Sequence, residues 1–116
     1  QIDKRDEEDG LHAIHAAFLG HTSLKHVVVV DRDVDPYDAA DVEWAIATRF
    51  QADQDLVVLD DKPGSSLDPS GHQSPGRKSR TTKMGLDATA PLGQSRADYE
   101  RVTYMPANLA EYDVAR

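Results

Sequence analysis

The chain has no cysteine. That excludes a disulfide framework and thiolate chemistry. Long apolar runs are missing as well. The longest, Val27–Val30 and Leu56–Leu59 among them, fall far short of the roughly 20 residues a membrane-spanning helix needs. Nothing resembles a signal peptide, so the cytoplasm is the expected compartment. Positive charge is scarce: 21 acidic residues stand against 13 basic ones, for a net charge of −8. Phosphate binding along a nucleic acid needs a positive field, so nucleic acid is not an expected partner. The single basic cluster, Arg77-Lys78-Ser79-Arg80, is short and carries no aromatic residue. A surplus of acid keeps a protein soluble and also occurs in halophilic proteins, which makes a salt-loving source one expectation.

What is present fits one small domain over residues 1–116. The chain opens on Gln1 rather than methionine, which suggests a piece of a longer protein. Gln1-Ile2-Asp3-Lys4 alternates like the end of a strand. Leu11, Ile14, His15, Phe18 and Leu19 fall at helical spacing, with Asp9 to cap and Gly20 to stop, which predicts a helix over Gly10–Leu19. Lys25–Asp31 contains an unbroken valine run, the pattern of a strand buried on both faces. Asp38 suits an N-cap, and Val42, Ala45, Ile46 and Phe50 line one face of a helix over Ala39–Phe50. Leu56–Leu59 reads as a second buried strand. Strand, helix and strand at this length predict a βαβ unit, with the two valine-rich strands as parallel neighbours. Residues 61–80 are rich in proline, glycine and serine and are expected to form a mobile loop. Thr82–Asp87 returns as a third strand, and Ala97–Met105 as a short helix or tail. The fold class is therefore α/β, a small mixed sheet with a βαβ unit packed by helices.

Few constellations carry chemistry. Asp31, Asp33 and Asp35 alternate like a calcium loop, but the sixth position is Pro36 and the twelfth Val42, where an EF-hand needs glycine and glutamate. A solvated strand end and helix cap explain them better. His12 and His15 could share a metal, yet no third ligand stands at a matching spacing, and a half-buried His15 beside an exposed His12 is the expected state. His21, His26 and His72 show no nucleophile–base pattern. Pro63-Gly64-Ser65-Ser66 reads as a turn, without the form of a P-loop. Lys83, on the third strand, is by its chemistry either an ordinary exposed lysine or an anion contact. Gly85 nearby marks a bulge or a close approach.

Three stretches together resemble the C-terminal region of the UbiD family of decarboxylases: Leu24–Leu59, with its DVEWAIATR segment; Gly64–Ser70, GSSLDPS; and Thr81–Pro91, TTKMGLDATAP. The resemblance implies an enzyme that removes carbon dioxide from aromatic or α,β-unsaturated acids without net oxidation. It implies prenylated flavin mononucleotide with manganese and potassium in the full-length enzyme, and none of these in this fragment. The catalytic arginine and glutamates would lie before this region, so no catalytic residue is assigned here. The partner would be the N-terminal flavin-binding region of the same protein, within a homo-oligomer. Lys83 becomes the one cofactor-binding residue, facing the flavin phosphate at the seam between domains and exposed when this chain stands alone. Asp87 would hold the turn of its strand. Glu43 and Arg49 would serve dipole stabilisation and an intra-domain ion pair. Polyprenyl hydroxybenzoates, other aromatic acids and isoprenoid-pathway acids all stay open as substrates. The alternative is a stand-alone α/β interaction or small-ligand domain without enzymatic activity.

Overall fold

A computed structural model describes residues 1–102 of the chain. Helix α1 spans Asp9–Gly20, strand β1 His26–Val30, helix α2 Ala39–Arg49 and the short helix α3 Ala52–Asp55. Strands β2, Leu56–Pro63, and β3, Arg80–Ala88, follow, and a 3-10 turn covers Arg96–Tyr99. The rest of the predicted Ala97–Met105 segment, after residue 102, lies outside the described residues.

The sheet is mixed and three-stranded, in the order β1-β3-β2. β1 pairs with β3 in parallel, and β2 pairs with β3 antiparallel. The small α/β class is as expected, but the adjacency is not: β3 lies between the two strands expected to be parallel neighbours. The cause sits at the end of α2. Arg49, its last residue, donates from Nη1 to Asp31 at 2.8 Å, and Asp31 directly follows β1. The chain therefore leaves α2 at the carboxyl end of β1. β2 starts from that end and runs back antiparallel to both other strands, and β3 then returns parallel to β1.

The helices cover opposite faces of the sheet. Val27 and Val29 of β1 join Ile14 and Phe18 of α1, together with Val57 and Leu59 of β2. Val28 and Val30 turn the other way and meet Val42 and Ala45 of α2, with Ala88 of β3. The valine run is thus covered on both faces by alternation. β2 departs from the buried strand predicted for it. It is an edge strand, and Leu56 and Val58 on its α2-side face stay exposed because α2 packs on β3 and β1. Only its alternate residues, Val57 and Leu59, reach the core.

Two local expectations change. Asp9 does not cap α1: its carboxylate accepts the N–H groups of Arg5 and Asp6, at 2.8 and 2.9 Å, and shapes the entry turn instead. His15 is exposed rather than half-buried, as are Leu11 and Leu19, so α1 enters the core mainly through Ile14 and Phe18. Other readings hold. Asp38 caps α2 by accepting from Ala40 N–H at 3.0 Å. Ile2 bridges to Asp31 in parallel, as its alternating segment implied. Gly85 is a close approach, because a Cβ there would fall 2.3 Å from Cγ2 of Ile14.

Candidate functional site

β3 presents Thr81, Lys83 and Gly85 to the α1 side and Thr82 and Met84 to the other. Lys83 was expected to be exposed, and the structure corrects this: it is only 3 % exposed. The residues after α1 fold over the strand, and the Lys83 ammonium donates to the Thr22 carbonyl at 2.7 Å. Its Nζ also lies 5.4 Å from the centre of the Phe18 ring, within cation–π range. A carbonyl and an aromatic face thus replace part of its water shell. No carboxylate pairs with it among the described residues. Burial pushes its pKa below the ordinary lysine value, and the charge of Lys62 pushes the same way.

The buried lysine opens into a groove of about 450 Å³ between α1 and the β2 edge. Phe18, Leu19, Leu59 and Pro63 supply apolar walls, and Lys62 and His15 stand at the rim. A lysine has three donor hydrogens, and Thr22 takes one. Acceptor oxygens of an anion could take the others.

A second polar cluster organises the carboxyl ends of β1 and β3. Asp31, itself buried, accepts from Arg49 and from Ala90 N–H, both at 2.8 Å. Arg49 also grips Asp33 with both terminal nitrogens, at 2.8 Å each, and donates to the Tyr99 carbonyl. Its guanidinium rests 4.8 Å from the Trp44 ring centre. These bonds hold the Asp33 carboxyl below the usual carboxylate range. The arginine is thus the intra-domain ion pair predicted for it, and it closes one end of the domain rather than offering a free cation. Asp87 accepts from the N–H and hydroxyl of Thr89, which fixes the turn leaving β3.

Asp31, Asp33 and Asp35 are spent on these and related backbone contacts. Among the described residues, no three His, Asp or Glu side chains are grouped to hold a metal ion. No described helix is long and apolar enough to cross a membrane. Lys62 was not singled out in the sequence. Its only signal was the Asp60-Asp61 pair, which interrupts the alternation of β2.

The fold is that of a C-terminal domain of a carboxy-lyase family. The chain belongs to the UbiD family, matching the 3-octaprenyl-4-hydroxybenzoate carboxy-lyase C-terminal domain over residues 1–88. It is 57 % identical over 100 residues to an anhydromevalonate phosphate decarboxylase of Aeropyrum pernix, covering 86 % of this chain and 22 % of that protein. It is 40 % identical over 113 residues to a gallate decarboxylase of Lactiplantibacillus plantarum, covering 90 % of this chain and 23 % of that protein. A solved structure, the UbiD-class enzyme HmfF of Pelotomaculum thermopropionicum in complex with FMN, superposes with a TM-score of 0.79 at 41 % identity, over 96 % of this chain and 24 % of that one. The chain therefore spans less than a quarter of the length of these relatives.

Proposed function

We propose that this chain is the C-terminal domain of a flavin-dependent, non-oxidative decarboxylase, and that its direct contribution to the cofactor is Lys83, set against the flavin phosphate. The observation that carries this reading is the burial of Lys83 without an acidic partner among the described residues. Burying an ammonium is costly, and fixed anions of the protein normally compensate it. Here a carbonyl and an aromatic ring hold it in place with donor capacity left over. A phosphate monoester arriving at the groove would supply the missing negative charge. Apolar walls strengthen such a contact by lowering the local dielectric. In a chain with a net charge of −8, a local reversal of the field is required before any phosphate can approach.

The flavin, when bound, supplies the electron sink that decarboxylation needs. Lys83 holds and orients its phosphate end, and Phe18 and Leu59 limit water around the contact. The acid–base residues, most cofactor contacts, and the manganese and potassium expected with prenylated flavin are assigned to the part of the protein outside this chain. That part is also the main partner of this domain, within a homo-oligomer. Among substrates, an unsaturated acid that itself bears a phosphate is favoured over an aromatic acid. The support is relatedness: 57 % identity to a decarboxylase named for a phosphorylated substrate, against 40 % to one named for gallate.

The test is Lys83→Ala in the protein that joins this domain to its flavin-binding region. Bound flavin, read by absorbance against protein, should fall about tenfold, as expected for losing a charge-assisted contact of about 1.4 kcal/mol or more. Carbon dioxide release should fall with it, while the thermal melt stays cooperative. Lys83→Arg should recover only part, because a planar fork does not replace a compact point charge. Unchanged flavin content in Lys83→Ala would remove the assignment.

A further inference from the structure

The path of β2 beside the groove is irregular in one place. Leu59 pairs with Lys83, and two residues back along β3 the partner of Thr81 would be Asp61 in a regular antiparallel ladder. The observed partner is Lys62, because the register shifts between Leu59 and Lys62. One extra residue has been admitted into β2. A bulge of this kind changes which side chain faces which way. Residues paired in register share a face, so Lys62 joins Thr81 and Lys83 on the α1 side.

The backbone is held out of its ordinary range to do this. Asp61 has φ 50°, the only non-glycine residue with positive φ among those described. That conformation is unfavourable for an L residue, though aspartate tolerates it better than most. Both acids of the bulge are engaged away from the groove. Asp60 accepts from the Thr82 hydroxyl at 2.7 Å, and Thr82 points to the opposite face. The Asp61 carboxylate accepts from Nε of Arg80 at 2.9 Å. A segment that reads Leu-Asp-Asp-Lys thereby presents a lysine, and neither aspartate, to Lys83. Without the extra residue an acid would stand there and neutralise it.

Like charges on one apolar groove repel, and each raises the cost of the other. An arrangement that brings them together is expected where an anion of more than one charge completes it. We propose that Lys62 and Lys83 form a two-lysine clamp for a phosphomonoester dianion, assembled by the bulge at Asp60–Asp61. The proposal rests on the reading of Lys83 given above and adds a second residue to it. Two sources share this chemistry: the phosphate of the flavin and the phosphate of a phosphorylated acid substrate.

The experiment uses the intact, flavin-loaded protein with Lys62→Ala, Lys62→Glu and Lys83→Ala made separately. Flavin content is read by absorbance, folding by thermal melt, and KM and kcat are measured separately with a phosphorylated α,β-unsaturated acid. Lys62 is exposed on an edge strand, so its variants should melt like the parent. Lys62→Ala should lower flavin content, or raise KM with little change in kcat, by about fivefold to tenfold, and Lys62→Glu by more. A fall in flavin content assigns the clamp to the cofactor, and a rise in KM at full flavin content assigns it to the substrate. If neither Lys62 variant changes either quantity while Lys83→Ala empties the flavin site, the clamp is wrong and the Lys83 reading stands. If Lys83→Ala is also silent, both fail together. A response to Lys62 alone would likewise overturn a clamp that needs both.

Discussion

In the role proposed for it, Lys83 sets stability against function. It is buried, without an acidic partner among the described residues, and its pKa is pushed below the ordinary lysine value by that burial. The folded state therefore holds the Lys83 proton less tightly than the unfolded state does. The resulting penalty is full below the folded pKa and fades as pH rises from there toward the ordinary 10.5. Replacing the charge with an apolar chain of similar length removes the penalty. Lys83→Met should stabilise this domain at pH 7 by about 1–3 kcal/mol in urea unfolding while lowering flavin content in the intact protein. Wild type and variant should converge as the titration is carried to alkaline pH. A wild type more stable than Lys83→Met at pH 7 would mean that Thr22 and Phe18 satisfy the ammonium completely, leaving no need for a phosphate. The sequence offered Lys83 through its motif but not its burial. Burial depends on where the residues after α1 fold, and a strand read alone gives no sign of what lies on top of it.

Among the elements, α2 and β1 were legible because their patterns are strong. An aspartate cap opens α2, and alternate valines of β1 feed two separate cores. The order of strands was not legible, although the residue that decides it was. Arg49 was read as an ion-pair residue, yet the consequence of its partners was hidden. Bonds to Asp31 and Asp33 fix the end of α2 beside the end of β1 and so set the direction of β2. A hydrophobic pattern is the same in a parallel and an antiparallel neighbour, so periodicity could not choose between them. Arg49→Ala should cost about 3–5 kcal/mol, because it leaves a buried aspartate without its partner. Arg49→Lys should recover less than half of that loss. A lysine cannot grip Asp33 with two nitrogens, reach Asp31 and stack on Trp44 at once. Urea midpoints of the three forms test this. An Arg49→Lys protein as stable as the parent would show that charge alone, not the fork, holds the corner.

The whole molecule was legible as an α/β domain of this family and only partly as a site, because the groove is completed by side chains from three separated segments. Phe18 and Thr22 follow from α1, Leu59 and Lys62 from β2, and Lys83 from β3. Pairing β2 with β3 brings Lys62 to the groove, and only the bulge sets its face. The groove lies open on one side, and Leu19 at its edge is 84 % exposed. That geometry sets what this chain does alone. Binding a flavin nucleotide costs several kilocalories per mole in lost translational and rotational freedom before any contact is counted, on the order of 4–15 kcal/mol. Two lysines in an open groove return a few kilocalories at most, and screening by salt reduces that further. The isolated chain should therefore bind FMN with a Kd no tighter than about 1 mM, read by flavin fluorescence, and weaken further as salt is raised. Carbon dioxide release from phosphorylated unsaturated acids or hydroxybenzoic acids should stay at background with prenylated flavin added. Joined to the flavin-binding region proposed for the rest of the protein, the same chain should bind far more tightly, because the groove then contributes to a site already held in place. Micromolar FMN binding by the chain alone would move the main cofactor site into these 116 residues and overturn the division of labour argued here.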